Sequence, residues 1–371
     1  MISSLVGQTT TDVFNSIFQI VYFGFFLLSM LYGQKIQTWT MMREIEGAVI
    51  RLRNMKNVAR RVAIDSIKAA GGGKIDPTPR IDQFLEYFMI MPESLDPAGI
   101  VPKVEHVVDV RDKRFKDEIK LLAPSTSEPE GDNLEGVLEV ALGLNEIYRV
   151  VSHFYLLGKK TMSMYVIMQV QMQLPQIIQM AEAYSAALKA FAEGQPIGDG
   201  AGATVAAKMM YGNASREIVE ETVAAEVPFE GRNLLVLKSK GPGSTVGKPG
   251  EGIKKLIEEK EGKVAMVIMI DAAGKYEGEK SGDTSEGTGA AIGGIGVDQF
   301  IIEEISVKYK IPVHAVIIKE SIQESVAPMT KEISEGTDIA VAKVKRIIHE
   351  GTEEGDTIIV AGIGNTVGIG Q

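Results

Sequence analysis

LLVLK at 234–238, followed by SKGPGSTVGKPG at 239–250, decides the fold of the C-terminal part of this 371-residue chain. Short, β-rich apolar runs without polar alternation read as strands covered on both faces. The glycines and prolines behind the run end the strand, and a helical pattern follows at 250–261. VAMVIMI (264–270), VHAVIIK (313–319) and TIIVA (357–361) repeat the strand signal, with helical stretches expected near 286–309 and 328–350. Strand and helix alternate, so residues 232–371 are expected to form a Rossmann-like α/β domain with a parallel sheet of at least four strands.

The glycine loop recurs. Gly241-Pro242-Gly243-Ser244-Thr245-Val246-Gly247 follows the first strand, and Gly362-Ile363-Gly364-Asn365-Thr366-Val367-Gly368 follows the last. Both read G-x-G-[S/N]-T-V-G. Glycine permits positive φ and close backbone approach, so peptide N–H groups in such a loop can cradle an anion. Ligands of open parallel sheets bind beyond the carboxyl ends of the strands. The candidate ligand-binding residues are therefore Gly241, Gly243, Ser244, Thr245, Gly247, Gly362, Gly364, Asn365, Thr366 and Gly368. A small anionic ligand, a nucleotide among the options, is the expected occupant; the alternative is a pair of tight turns. Neither loop is a Walker A motif, and no helix follows the second, so a P-loop NTPase or a standard dinucleotide site is not expected. Asp271 stands where VAMVIMI ends. An aspartate there can ligate magnesium or orient a water, which makes Asp271 the candidate metal ligand and magnesium the candidate cofactor. The acidic stretch after it, with Glu277, Glu279, Asp283 and Glu286, reads equally as a solvated loop.

Upstream the pattern is helical. Residues 80–228 read as a mainly α-helical domain, in which NLEGVLEVALGLNEIYRVVSHFYLL (133–157) is the strongest segment and a last helix is expected from about Thr204 to Ala225. Pro92, Pro97 and Pro102 break the stretch behind FLEYFMIM (84–91), and Pro175 kinks a Met- and Gln-rich helix. Met164, Met168 and Met172 form a stripe suited to a core or a subunit interface. Residues 35–73 read as an amphipathic helix stopped by Gly71-Gly72-Gly73.

VFNSIFQIVYFGFFLLSMLYGQ at 13–34 carries no charge. At about 1.5 Å per residue it has the length to span a bilayer, so residues 1–34 are expected to form an N-terminal transmembrane helix. Lys35, Arg43, Arg51, Arg53, Lys56, Arg60 and Arg61 follow it. They predict a single-pass cell-membrane protein with its N-terminus outside and the bulk of the chain cytoplasmic, and they suit membrane lipid headgroups. Asn15, Gln19 and the Met stripe favour a homo-oligomer.

A net charge of −10 argues against a nucleic-acid partner. Zero cysteines exclude disulfides, thiol nucleophiles and cysteine metal sites. The four histidines form no H-x-x-x-H pair, and no Ser–His–Asp order stands out.

FLEYFMIMPESLDPAGIVPKVEHV (84–107), IYRVVSHFYLLGKKT (147–161), IMQVQMQLP (167–175), PIGDGAG (196–202), GPGSTVGKPG (241–250) and EGEKSGDTSEGTGAAIGGIGV (277–297) together resemble an archaeal family of membrane-anchored proteins of unknown function. The resemblance implies an archaeal, membrane-associated protein and supplies no reaction, ligand or catalytic residue. The expected function is thus a membrane-tethered protein binding a small anionic ligand in a regulatory or sensory role. The alternatives are a structural homo-oligomeric membrane assembly and a magnesium-dependent phosphohydrolase. Whether the chain is an enzyme stays open at this point.

Overall fold

The computed structural model describes residues 2–73, 76–93 and 99–371, without the side chains of 2–13, 30, 31 and 34. Pro97 lies outside these residues. The chain divides into two compact units, Met1–Asn54 with Ile147–Ile178, and Met55–Glu146 with Gln179–Gln371.

The first unit is helical. It holds the larger part of α1 (Ile2–Ala70), the end of α4 (Glu128–Thr161) and the first half of α5 (Met164–Glu193). Ile45, Val49 and Leu52 of α1 are buried, at the 3.6-residue spacing that lets one helix face meet a neighbour. Thr38 Oγ1 donates to Met164 Sδ at 3.2 Å, and Gln171 Nε2 donates to Glu44 Oε2 at 2.7 Å. Met164 of the stripe is thereby used inside the unit, whereas Met168 and Met172 are exposed.

No helix among the described residues is long and apolar enough to cross a membrane. This overturns the expected transmembrane helix at 1–34, and with it the single-pass membrane localisation, the outward N-terminus and the cytoplasmic bulk. The run at 13–34 lies inside the single helix α1, and its length alone does not make it a span. Asn15, Ser16 and Gln19 add polar groups within that length.

In the second unit α1 ends as expected at Gly71-Gly72-Gly73, where Gly72 and Gly73 take φ +67° and +69°. Helices α2 (Thr78–Phe84), α3 (Ile100–Leu122), the first part of α4 and the end of α5 follow. Pro175 lies inside α5, and Gly194 at φ +62° ends that element. A single 3-10 turn, Gly198–Gly200, then leads into α6 (Ala201–Met210).

Here the structure departs from the expected helix. Residues 215–229 form an antiparallel hairpin, β1 (Ser215–Val219) and β2 (Thr222–Phe229), which pairs with β3 (Arg232–Ser239). The remaining elements are α7 (Pro249–Glu259), β4 (Met266–Gly274), β5 (Thr284–Thr288), α8 (Val297–Tyr309), β6 (Val313–Glu320), α9 (Ile322–Val326), α10 (Lys331–Gly351) and β7 (Thr357–Gly362). The sheet has seven strands in the order β1-β2-β3-β7-β4-β6-β5. Its four central strands are parallel, as the apolar runs demand, and the flanks are antiparallel, so the sheet is mixed rather than parallel throughout.

Alternation places Leu234, Val236, Ile268, Ile270, Ile358 and Val360 on one face, under α6 and α10. Leu235, Leu237, Val267, Met269 and Ile359 lie on the other, under α7 and α8. Burying each such side chain stabilises by about 1.5–3 kcal/mol. Ile268, wholly buried at the sheet centre, is expected to cost about 2–5 kcal/mol of stability when cut to alanine, measurable by urea unfolding.

The helices divide between the two faces of the sheet. Helix α7, which follows β3, and α8, which follows β4 and the edge strand β5, cover one face; α10, which follows β6 and α9, covers the other. The chain changes faces between β4 and β6. In an open α/β sheet that switch opens a crevice at the carboxyl ends of the two strands.

Candidate functional site

The two glycine loops do converge. β3 and β7 are adjacent and parallel, with Lys238 opposite Gly362. The loops bind each other through several of their polar groups. Thr366 N donates to Thr245 O at 3.0 Å, and Gly368 N to Pro242 O at 2.9 Å. Asn365 Nδ2 donates to Ser244 Oγ at 3.0 Å, and Thr366 Oγ1 lies 2.9 Å from Gly243 O. Gly241 O accepts from Gln371 Nε2 at 2.9 Å. Gly247 N donates to Thr245 Oγ1 at 3.0 Å, and that hydroxyl donates to Glu221 Oε2 at 2.5 Å. A peptide N–H with a partner inside the chain must break that bond before it can hold a ligand.

Each loop also receives a carboxylate of the chain itself. Asn365 N donates to Asp199 Oδ2 at 2.8 Å. A Cβ on Gly243 would overlap Asp132 Oδ2. The second loop thus spends one N–H on Asp199, and Asp132 packs against the first at Gly243.

The carboxyl edge beyond the switch is acidic. Glu320 ends β6 and is 3% exposed, and its Oε2 has no hydrogen-bond partner among the described residues. A Cβ on Gly198 would overlap that same oxygen. Asp271 on β4 is 8% exposed and accepts from the N–H groups of Ala272, at 2.8 Å, and Gly293. Ile270 faces α6 and α10, so alternation turns Asp271 toward the α7–α8 side. Asp199, partly buried on the 3-10 turn, is near enough to both to act on their charge.

These groups charge one another. Burial first, then Asp199, pushes Asp271 up to about 8. Burial, then Asp199, Glu324 and Asp271, pushes Glu320 up to about 8. Burial raises Asp199 as well, opposed by its bond from Asn365. Desolvation disfavours a carboxylate, and a second carboxylate nearby disfavours it further. Among the described residues, the charges acting on these three acids are other carboxylates. Lys275 lies one step out, 3.5 Å from Glu324. Lys238 is fully buried at the end of β3; its Nζ donates to Ser239 O at 3.0 Å, and burial pushes its pKa down to about 8.

The segment PIGDGAG carries the site's geometry. A Cβ on Gly202 would overlap the carbonyl oxygens of Ile270 and Ile363, so this glycine lets the backbone of α6 lie directly on the strand ends. Ala203 N donates to Ile363 O at 3.0 Å, and Gly198 N to Ala327 O at 3.2 Å. Asp199 is thus fixed by backbone contacts on both sides.

Asp271 is legible in the sequence because it stands near the end of an expected strand. Glu320 holds the equivalent place behind VHAVIIK, and the same signal marks it, although the sequence reading does not single it out. Asp199 and Lys238 also escape that reading. Asp199 carries no signal beyond the glycines flanking it, and Lys238 has the pattern of an ordinary strand-end lysine. Among the described residues, no group of three or more His, Asp or Glu is disposed to hold a metal ion.

The fold is an α/β domain with a mixed seven-stranded sheet, preceded by helices. The chain belongs to the DUF1512 family. Residues 19–194 match the "Protein of unknown function (DUF1512) N-terminal domain" and residues 197–370 the "Domain of unknown function (DUF1512) C-terminal". Comparison with curated proteins and with solved structures gives no match.

Proposed function

We propose that this protein is a regulatory or sensory ligand-binding protein, and that its C-terminal domain takes a small cationic ligand, an organic amine, at the carboxyl edge between β4 and β6. The archaeal origin implied by the resemblance belongs to this proposal and adds no reaction to it. One observation carries the reading: Glu320 Oε2 is buried without a partner beside Asp199 and Asp271, and no basic side chain among the described residues acts on the three. An unpaired buried carboxyl oxygen costs stability until a donor reaches it. An ammonium brings three donors and a positive charge, and partly exposed Asp199 gives it an entrance.

The sign of the ligand is thus reversed from the sequence-based expectation. The N–H groups of Thr245, Gly247, Asn365, Thr366, Val367 and Gly368 are used within the chain, and Glu320 Oε2 is an open acceptor. A magnesium-dependent phosphohydrolase would need ligands gathered around Asp271. The acids around it are instead spread over the turn, β4 and β6, and Asp271 is engaged by two backbone N–H groups.

The test is thermal shift with putrescine, spermidine, choline, glycerol, inorganic phosphate and ATP on the wild type and on Glu320→Gln. Primary amines should raise Tm, choline should do less because it has no N–H, and Glu320→Gln should remove most of the rise. A shift with phosphate or ATP and none with amines would overturn the proposal.

A further inference from the structure

Helix α1 carries an apolar seam that nothing described within its own unit covers. Phe14, Phe18, Val21, Phe25, Leu28 and Tyr32 are 51–71% exposed. Their spacing is 4, 3, 4, 3, 4, the a/d repeat that winds helices around one another. A helix packed only against its own protein hides its apolar stripe and shows a polar back. This stretch shows its stripe, and Ile17, Ile20, Phe23 and Phe26 outside it are 55–71% exposed as well.

We infer that α1 associates with further copies of this chain as a parallel, in-register helical bundle along residues 14–32. Three observations select a second copy as the occupant. The run from 13 to 34 has no charged residue, so identical helices meet without like-charge repulsion. Aromatic side chains bury roughly 150–250 Å² each, so the four aromatics of the seam supply on the order of 800 Å² per copy, what a stable interface takes. Asn15 borders the seam between Phe14 and Phe18, at a flanking position that a bundle of more than two helices buries. In parallel register it meets its counterpart's amide at the same level; antiparallel packing would set it against the apolar second half. Because residues off the seam are apolar too, more than two helices share the bundle. The inference is independent of the ligand site.

The chain has no cysteine, so single cysteines report proximity cleanly. The full chain carrying Phe18→Cys, on the seam, or Phe23→Cys, off it, is oxidised in aqueous buffer and scored for disulfide-linked dimer. Circular dichroism confirms that both variants keep the wild-type helix content. Phe18→Cys should cross-link several-fold more than Phe23→Cys, and wild-type protein should sediment as a discrete multiple of 40.2 kDa. A monomeric wild type, or equal cross-linking from the two positions, would overturn the inference. So would wild-type protein that sediments as a monomer and pellets with phosphatidylcholine vesicles, since lipid would then be what covers the seam.

Discussion

Gly364→Ala is expected to lower the unfolding free energy by about 3 kcal/mol or more, and Gly243→Ala by about 1–2 kcal/mol. The two glycines occupy the same place in the repeated loop, so the difference isolates their surroundings. Gly364 has φ +116°, a region that costs a side chain about 1–3 kcal/mol, and its Cβ would overlap the backbone oxygen of Asp199. That oxygen belongs to the turn pinned by Gly198 and Ala203, so it has little room to yield. Gly243 has no positive φ; its Cβ would meet Asp132 from the carboxylate back to Cβ, so helix α4 must give slightly, but no left-handed strain adds to the cost. Urea unfolding of both variants checks this. Equal losses would mean that the turn bearing Asp199 is not held against the second loop as described.

The second large effect is on pH. Asp271 and Glu320 at about 8, Glu135 at about 8, Asp132 at about 7 and Asp199 raised all bind protons more tightly folded than unfolded. A carboxyl whose folded pKa is raised contributes stability that is complete below its unfolded value, near 4, and lost as pH climbs through the folded value. Stability should therefore fall between about pH 5 and pH 8. Each group that stays protonated only in the folded state contributes a slope on the order of 1.4 kcal/mol per pH unit. Lys238 acts in the opposite sense and at higher pH: its depressed pKa makes the folded state gain stability as pH rises from about 8 toward the unfolded lysine value. Thermal melts from pH 5 to 8.5 should show the decline, and Glu320→Gln and Asp199→Asn should each flatten it. A flat or rising Tm across that range in the wild type would contradict the buried, proton-bearing cluster.

What the sequence discloses, and what it hides, follows from which interactions are local. The parallel strands are legible because a strand covered on both faces must be apolar at nearly every position, and LLVLK, VAMVIMI, VHAVIIK and TIIVA are. The hairpin at 215–229 is not. SREIVEETVAAEVPF is rich in Glu and Ala, which favour helix, and its strand state comes from pairing with β3, where Ala225 meets Val236 and Glu226 meets Leu235. TSEGT at β5 is polar because it is an exposed edge, and it forms a strand through its pairing with β6. The glycine repeat is legible as two loops at one sheet edge. The use of its N–H groups is not, because Asp199 and Asp132 come from turns and helices far back in the chain. Three acids on three elements carry no spacing that a linear reading can recognise. By composition alone the charge-free run at 13–34 reads as a membrane span. Its heptad seam is in the same letters, but its exposure emerges only when no other described helix of the unit covers it.

The most direct measurement of the central claim is the number of protons exchanged when an amine binds. If the ligand enters among carboxyls that burial keeps protonated near neutral pH, its positive charge must drive protons off them. Titration calorimetry of putrescine at pH 7, in two buffers of different ionisation enthalpy, gives that number. The account predicts release of at least a substantial fraction of a proton per site from the wild type, and a much smaller release with Glu320→Gln. Binding with no proton release, or with a release that Glu320→Gln and Asp199→Asn leave unchanged, would contradict a cation site built on these acids.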